Sequence, residues 1–262
     1  MSSYILKNDV ALLEVDEKAA EMHHFQSSKD GLEYLWQGDA QYWAGRNPIL
    51  FPVVGKSWSG SLNIKGKDYK MGNHGFARHS QFQLLEKTDS RLVLELRDNE
   101  ETLAQYPYHF SLQVKYELEG KKVYIHYQIE NLNEEEMPFH FGLHPAFNCP
   151  LKEGEQQKDY YLELSEEGRI ELDPEALQKT IILNQPKSTW TKLSNGIHGI
   201  KVEHEGYPWL AFWSPKAPFV CIEPWFSHTD FEENNLSFEK REGCITLDKE
   251  EKWCCSYSIE IL

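Results

Sequence analysis

Residues 122–130 read KVYIHYQIE, and their apolar and polar side chains alternate with a period of two. Alternation of this kind predicts a half-buried β-strand, because successive side chains of a strand point to opposite faces. Two other runs, 91–97 (RLVLELR) and 256–262 (SYSIEIL), show the same pattern. Shorter runs rich in β-branched and aromatic residues predict further strands at 110–118, 160–164, 200–204 and 209–213.

Only one segment suits a helix. Residues 14–24 (EVDEKAAEMHH) combine good helix formers, although a strand followed by a loop fits them as well. Because the predicted strands do not alternate with helices, we predict an all-β fold, an antiparallel sandwich or barrel, rather than a βαβ fold. No internal repeat and no long flexible linker divides the chain, so a single domain over residues 1–262 is expected.

The chain of 262 residues carries a large excess of negative charge. Its 42 Asp and Glu against 27 Lys and Arg give a formal net charge of −15. A nucleic-acid partner is not expected, since affinity for a phosphate backbone comes from clustered Lys and Arg. The 40% hydrophobic and 13% aromatic content predicts a folded core rather than a disordered chain.

Nothing in the sequence points to a membrane span or an export signal. No run approaches the roughly 20 apolar residues that cross a bilayer, and acidic residues interrupt the apolar stretches near the start. The five cysteines include no C-x-x-C pair, and adjacent Cys254 and Cys255 would point to opposite faces of a strand. We therefore expect a cytoplasmic protein with neither a disulfide framework nor a metal site.

Four segments interrupt the alternation and place ionisable or aromatic side chains beside Gly and Pro. They are 43–55 (WAGRNPILFPVVG), 72–80 (GNHGFARHS), 138–150 (PFHFGLHPAFNCP) and 218–226 (PFVCIEPWF). Bends at Gly and Pro can direct polar side chains towards a ligand. Each segment also has a plain structural interpretation, as a surface turn or as a loop with core histidines.

Glu223 is the strongest carboxylate candidate in the chain. It follows an apolar run and precedes Pro224, and a carboxylate at the end of a buried strand is costly unless it is paired. His140 and His144 are four residues apart in an aromatic setting, where a histidine stays neutral or acquires a carboxylate partner. A His and a Glu whose pKa values burial moves towards neutrality form a workable acid–base pair.

The remaining candidate groups suit a hydroxylated or anionic small molecule. Cationic and imidazole side chains that would orient it are Arg46, His74 and Arg78. The tryptophans that could stack on the apolar face of a sugar ring are Trp36, Trp43 and Trp225. No G-x-S-x-G elbow and no nucleotide-binding glycine motif is present, so nucleophilic catalysis and nucleotide binding are disfavoured. The residues alone indicate a β-rich protein with a His/Glu site for a carbohydrate.

At these same residues the sequence resembles the aldose 1-epimerase (galactose mutarotase-like) family, and within it the LacX-like branch. The matching motifs follow one another along nearly the whole chain. They are GLEYLWQGDAQYWAGRNPILFPVVG (31–55), NHGFAR (73–78), FGLHPAFNCP (141–150) and CIEPW (221–225). Each motif alone is weak evidence, whereas four in this order and spacing are specific.

The resemblance implies a large antiparallel β-sandwich of the galactose mutarotase type and a cofactor-independent, metal-independent exchange of the α and β anomers of an aldose. By match to the family motifs, His144 takes the place of the catalytic acid and Glu223 that of the catalytic base. His74 matches the second histidine that binds the sugar, Arg46 matches the arginine of the substrate pocket, and Arg78 is a further candidate for substrate binding. Galactose mutarotases also place an aspartate there, and Asp230, shortly after Glu223, is the candidate for it.

Two other functions remain open at this point. The first is a hexose-6-phosphate 1-epimerase, for which Arg46, Lys56, His74 and Arg78 would supply a local positive site for the phosphate. The second is a non-catalytic carbohydrate-binding protein on the same scaffold. The presence of both His144 and Glu223 favours an enzyme, since a binding protein needs no matched acid and base.

Overall fold

The computed structural model describes residues 2–262, and most of their regular structure is β-strand. In chain order the strands are β1 (Ser3–Lys7), β2 (Ala11–Asp16), β3 (Glu21–Ser27), β4 (Ile49–Leu50), β5 (Ser61–Ile64), β6 (Lys67–Lys70), β7 (Gln83–Lys87), β8 (Arg91–Arg97), β9 (Phe110–Glu119), β10 (Lys122–Asn131), β11 (Met137–Phe139), β12 (Gly142–Leu143), β13 (Ala146–Asn148), β14 (Tyr161–Leu164), β15 (Gly168–Glu171), β16 (Ile181–Asn184), β17 (Trp190–Ser194), β18 (Gly199–Glu203), β19 (Trp209–Trp213), β20 (Phe219–Trp225), β21 (Ile245–Leu247) and β22 (Lys252–Ile261). The helices are α1 (Glu100–Gln105) and α2 (Pro174–Leu177), with 3-10 turns at Ala77–His79, Gln157–Asp159 and Phe238–Lys240. The predicted all-β fold is confirmed.

Nine strands form one large antiparallel sheet, in the order β15–β14–β17–β18–β22–β10–β9–β8–β7. The run 122–130 lies in β10, 91–97 is β8, and most of 256–262 belongs to β22. Every second residue of β10 is buried, because only one face of the sheet contacts the core. The strands predicted at 110–118, 160–164, 200–204 and 209–213 correspond to β9, β14, β18 and β19.

A second antiparallel sheet packs against the first. Its order is β16–β19–β20–β12–β4, and β13 also pairs with β20. Val220 and Ile222 of β20 lie in the same apolar cluster as Leu112 of β9 and Ile125 of β10. Burial of each such side chain contributes about 1.5–3 kcal/mol. Two sheets joined face to face in this way form a sandwich, which is the correct alternative of the two predicted.

The segment 14–24 is not a helix but parts of two strands. β2 and β3 pair as an antiparallel hairpin, and Ala19 and Ala20 between them have φ values of 62° and 46°. A left-handed backbone at two successive residues cannot continue a right-handed helix. The alternating burial of β2, which begins before residue 14, outweighs the helix propensity of the segment. The strand-and-loop alternative is therefore correct.

The remaining strands and the helices complete the surface. β1, β2 and β3 form a three-stranded sheet, while β5–β6 and β11–β21 form two-stranded ones. Helix α1 is six residues long and is capped by Asn99, whose side chain accepts hydrogen bonds from the backbone N–H groups of Glu101 and Thr102. No helix in the described part of the chain is long and apolar enough to cross a membrane.

Candidate active site

Strand β20 supplies the carboxylate of the candidate site. Its side chains alternate between two environments: Val220 and Ile222 enter the core between the sheets, whereas Phe219 and Cys221 face the other side. Glu223 shares the face of Cys221, since the side chains of residues two apart in a strand point the same way. The carboxyl group therefore lies on the outer face of the smaller sheet and is only 1% exposed.

The pairing of β20 places a histidine opposite this carboxyl group. β12 pairs Gly142 with Trp225, and β13 pairs Ala146 with Cys221. The same antiparallel register, continued between the two short strands, brings His144 opposite Glu223. His144 Nε2 lies 3.3 Å from Glu223 Oε2. The structure thus joins the two residues that the sequence motifs singled out, although they are far apart in the chain.

Burial disfavours a charge on either member of the pair. His144 is 7% exposed, and burial, followed by the neighbouring His74 and Arg78, lowers the pKa of its imidazole well below 6.5. Burial raises the pKa of the Glu223 carboxyl well above 4.5, which the nearby Trp225 side chain only partly opposes. The two shifts favour the uncharged form of each group, so that a proton held by the carboxyl group can pass to the imidazole it contacts.

The pair lies in the floor of an open cavity of about 350 Å³. Aromatic rings form much of its wall: Trp43 stacks on His144 with 4.8 Å between ring centroids, and Trp213 meets His144 edge-on at 5.7 Å. The lining residues are Trp43, Gly55, Lys56, Asn73, His74, Arg78, His144, Thr180, Ile182, Trp213, Glu223, Trp225 and Thr229. Apolar ring faces beside a few polar groups are typical of a small-molecule site.

A tight backbone contact fixes the orientation of His74. The Gly55 N–H donates to His74 Nδ1 at 3.0 Å, and the His74 N–H donates to the Gly55 carbonyl at 2.7 Å. Because Nδ1 accepts a hydrogen bond, the ring proton of the neutral imidazole is on Nε2. Burial, assisted by Arg78, lowers the pKa of His74 to about 3, so the ring is neutral at physiological pH. His74 also meets His144 edge-on, 5.5 Å between centroids.

The loop that carries His74 depends on Gly75, and its replacement tests this. Gly75 has φ of +72°, and a Cβ there would lie 2.2 Å from the Phe51 carbonyl oxygen. We expect Gly75→Ala to lower the free energy of unfolding by about 2 kcal/mol or more, through backbone strain and this clash. Chemical denaturation measures the loss. The control is Gly72→Ala, since a Cβ at Gly72 meets nothing within 4 Å, and an equal loss in both variants would contradict the explanation.

The two arginines of the sequence motifs lie in different positions relative to the pair. Arg78 lines both the cavity above His144 and a neighbouring cavity of about 340 Å³. No carboxylate lies within ion-pair distance of its guanidinium in residues 2–262. Arg46 lines only the neighbouring cavity, where its NH1 is 3.7 Å from Glu21 Oε2. Arg78 is therefore the cation shared by the two cavities.

Three further candidates from the sequence lie outside the cavity. Asp230 lines a separate cavity and is held by a buried ion pair with Arg241 at 2.9 Å, so the expectation of a pocket aspartate at this position is wrong. His140 borders that same separate cavity and packs against Phe238, 4.9 Å between centroids. Trp36 packs against Phe219 and does not line the cavity, which leaves Trp43 and Trp225 as the lining tryptophans among those proposed for stacking.

Sequence reasoning missed several lining residues. Trp213 ends β19, in which Ala211 pairs with Glu223. The small Ala211 side chain leaves space beside the carboxyl group, and the alternation of β19 directs Trp213 to the same face. This alternation is visible in the sequence, but the pairing of β19 with β20 is not. Thr180 immediately precedes β16 and Thr229 lies in the loop after β20, and neither belongs to a recognisable motif.

Comparison with known proteins agrees with this architecture along the chain. A family model described as Aldose 1-epimerase matches residues 4–260. The chromosomal protein LacX of Lactococcus lactis subsp. lactis is 34% identical, over 89% of this chain and 91% of its own length.

Solved structures show the same fold. A galactose mutarotase related enzyme from Lactobacillus acidophilus superimposes with a TM-score of 0.96 at 25% identity, covering 100% of this chain and 97% of its own. A galactose mutarotase-like protein from Lactobacillus casei superimposes with a TM-score of 0.92 at 28% identity, with complete coverage of both chains. The sandwich is thus of the galactose mutarotase type, as the resemblance implied. Since the family model spans almost every residue, the chain belongs to the aldose 1-epimerase family.

Proposed function

We propose that the protein interconverts the α and β anomers of an aldohexose by acid–base opening and closure of the sugar ring, without a metal or cofactor. The observation that carries this proposal is the 3.3 Å contact between His144 Nε2 and Glu223 Oε2 in the floor of the cavity. Anomer exchange needs one group to accept a proton and one to donate a proton at two neighbouring oxygens. A buried imidazole and a buried carboxyl group, with one proton between them, supply both.

These two groups can open the sugar ring by two proton transfers. Glu223 removes the proton from the C1 hydroxyl while His144 protonates the ring oxygen. The C1–O5 bond breaks, its electron pair stays on the oxygen, and C1 becomes an aldehyde carbon. General acid–base assistance of this kind contributes about 10²–10⁴ per group.

Closure reverses the two proton transfers. Rotation about the C1–C2 bond presents the opposite face of the aldehyde to the C5 hydroxyl. His144 then takes the hydroxyl proton and Glu223 returns a proton to the carbonyl oxygen, which yields the other anomer. The pair ends with the protons it had at the start, so neither residue needs to be regenerated by solvent.

The walls of the cavity suit the rest of the sugar. The His74 Nε2–H is a donor for a ring hydroxyl, since its Nδ1 is engaged by the Gly55 N–H. Trp43, stacked on His144, offers an apolar face beside the reacting carbon. The exposed Lys56 ammonium, another lining group, is a flexible donor at the rim. Galactose and glucose are the first sugars to test, because the solved relatives are described as galactose mutarotase-like.

We expect kcat/KM to have a plateau and to fall on both its acid and its alkaline side. A second proton on the pair removes the base, and loss of the last proton removes the acid. Burial lowers the pKa of His144 well below 6.5, so the second proton is added only in acid. It raises the pKa of Glu223 well above 4.5, so the last proton leaves only well above that value.

A pH–rate profile checks this expectation. Its two limbs report macroscopic pKa values of the pair, since the groups are in contact. An acid limb centred near 6.5, the ordinary value of a histidine, would contradict a buried His144 as one of the two groups.

Polarimetry on freshly dissolved α-D-glucose and α-D-galactose tests the proposed activity. The protein should shorten the approach to the equilibrium rotation in proportion to its concentration, and bovine albumin at the same mass serves as the control for general protein catalysis. Tight sugar binding without acceleration would instead favour the carbohydrate-binding alternative.

A second candidate, epimerisation of a hexose 6-phosphate, is favoured by Arg78. Its half-buried guanidinium has no carboxylate partner in the described residues and faces both cavities. An unpaired, partly buried guanidinium can bind a phosphate by donating charge-assisted hydrogen bonds to it. For this substrate Arg78→Gln should lower kcat/KM at least about tenfold, because a hydrogen bond to a charged group contributes about 1.5–3 kcal/mol.

Parallel assays with glucose and glucose 6-phosphate distinguish the two candidates. A wild-type preference for the phosphosugar that Arg78→Gln removes would establish the second candidate. If the wild type and Arg78→Gln each acted on the two sugars at equal rates, the unphosphorylated hexose would remain the proposed substrate. Arg97→Gln is the matched control, since Arg97 is an exposed arginine of β8 on the other sheet.

A further inference from the structure

A thiol lies directly beside the acid–base pair. The ligand atoms of His144, Cys221 and Glu223 are all within 4.8 Å of one another, and all three residues are buried. Cys221 precedes Glu223 by two residues on the same face of β20 and is 0% exposed. Its partners in the strand pairing are Ala146 and Trp213, and it is not among the residues that line the cavity.

The three groups match the ligand chemistry of a thiophilic divalent cation. Zn²⁺ binds thiolate, imidazole and carboxylate, commonly in a tetrahedron with bonds of about 2.0–2.3 Å. Ligand atoms of such a tetrahedron are about 3.4 Å apart, and His144 Nε2 and Glu223 Oε2 are already 3.3 Å apart. The other separations are at most 4.8 Å, so these ligand atoms need to approach one another by no more than about 1.4 Å.

We propose that the cavity floor binds Zn²⁺ or a similar thiophilic cation through His144, Cys221 and Glu223, and that this binding inhibits the protein. Three protein ligands leave the fourth position open towards the cavity, where a water molecule or a sugar hydroxyl completes the coordination. The thiolate and the carboxylate are the ligating forms, and any protons they carry pass to the solvent when the ion binds.

Inhibition follows from which atoms the ion occupies. It takes the lone pair of the imidazole nitrogen and an oxygen of the carboxyl group, the two atoms that accept and donate the protons of anomer exchange. Binding of the ion does not depend on the proposed function, whereas the loss of turnover rests on it. The two consequences can therefore be measured separately.

The ligand set also predicts which ions act. Mg²⁺ and Ca²⁺ prefer cages of oxygen atoms and gain little from a thiol and an imidazole. They should leave the protein active at concentrations at which Zn²⁺ inhibits.

Cysteine spacing could not reveal this cluster. No C-x-x-C pair exists, and no third His, Cys or carboxylate lies at a recognised metal spacing near His140 and His144. The structure instead brings one cysteine to a histidine that is distant in sequence, through the pairing of β13 with β20.

Cobalt substitution tests the binding directly. Added Co²⁺ should give the wild type a thiolate-to-cobalt charge-transfer absorption, and added Zn²⁺ should remove it by competition. Cys221→Ser and Cys221→Ala should each lose the band and bind Zn²⁺ at least about tenfold more weakly, since loss of even an outer partner costs 10–100-fold. Cys254→Ser is the control, because Cys254 is an exposed thiol of β22 outside the cluster. It should keep the band.

An activity assay of the same proteins completes the test. Both Cys221 variants should turn over the sugar in the presence of Zn²⁺ that inhibits the wild type and Cys254→Ser. Circular dichroism confirms that at least one Cys221 variant is folded. A cobalt band that survives both Cys221 substitutions would overturn the proposal, as would wild-type protein that shows no band. A band in a protein without epimerase activity would support the metal site and count against the proposed function.

Discussion

Replacement of Glu223 by Gln is expected to lower kcat for anomer exchange by at least about 10³ while the protein remains folded. The amide keeps the shape of the side chain but cannot accept the proton of the C1 hydroxyl, and general acid–base assistance contributes up to about 10⁴ per group. Polarimetry of both proteins at the same concentration measures the loss. Glu205→Gln is the control, since Glu205 is an exposed carboxylate on the turn after β18.

The same variant should not lose stability at neutral pH. Because burial raises the folded-state pKa of Glu223 above its usual 4.5, the neutral carboxyl favours folding below that value, and this contribution is lost as the pH rises towards the folded pKa. The amide of the Glu223→Gln variant never ionises, so the variant lacks this pH-dependent loss. Thermal denaturation across that range checks the sign. An active Glu223→Gln protein would contradict the catalytic assignment. An unfolded one would contradict the expected stability.

Replacement of His144 by Asn is expected to lower kcat by about 10²–10⁴, through loss of the group that exchanges a proton with the ring oxygen. The double variant with Glu223→Gln should be no worse than about tenfold below either single variant, since residues that act as a unit are not additive. Rates of the three proteins, measured with the same sugar, give this comparison.

The structure offers a matched control for the loss of His144. His198 is also buried and lies 3.0 Å from a carboxylate, Glu155, but away from the cavity. His198→Asn should cost stability, because it breaks a buried hydrogen-bonded pair, and should leave kcat unchanged. If the two variants lost activity equally, the effect of His144→Asn would reflect general damage to a buried His–Glu pair rather than catalysis.

Much of the fold could be predicted from local sequence patterns. The alternation of apolar and polar residues in 91–97 and 122–130 corresponds to the burial patterns of β8 and β10, because one face of each strand is buried against the core. The segment 14–24 was ambiguous for a physical reason, since its helix formers lie in a hairpin whose turn is made by two left-handed alanines. Helix propensity is a weak preference that long-range strand pairing overrides.

The candidate site could be predicted only in part. Glu223 was recognisable as a carboxylate in an apolar strand, and His144 as a histidine in an aromatic loop. Their contact depends on the register of β12 and β13 with β20, which no local pattern encodes. Trp213 was missed for the same reason, because its place in the cavity wall depends on the pairing of β19 with β20.

The sequence also did not indicate which cavity each arginine side chain lines. Arg46 and Arg78 both lie in glycine-containing motifs, yet Arg78 borders the cavity of the acid–base pair and Arg46 borders the neighbouring one. Asp230 follows Glu223 by seven positions and still points away from it, held by Arg241. Sequence proximity to a site residue is therefore a poor guide once the chain has left the strand.

The most direct test of the central claim is two-dimensional exchange NMR on an equilibrium mixture of the anomers of 1-¹³C-labelled glucose or galactose. The claim predicts cross-peaks between the α and β C1 signals that grow with the concentration of wild-type protein and return to the uncatalysed level with Glu223→Gln. Cross-peaks of equal intensity with the two proteins would contradict it, because the acid–base pair of His144 and Glu223 would then not be the source of the exchange.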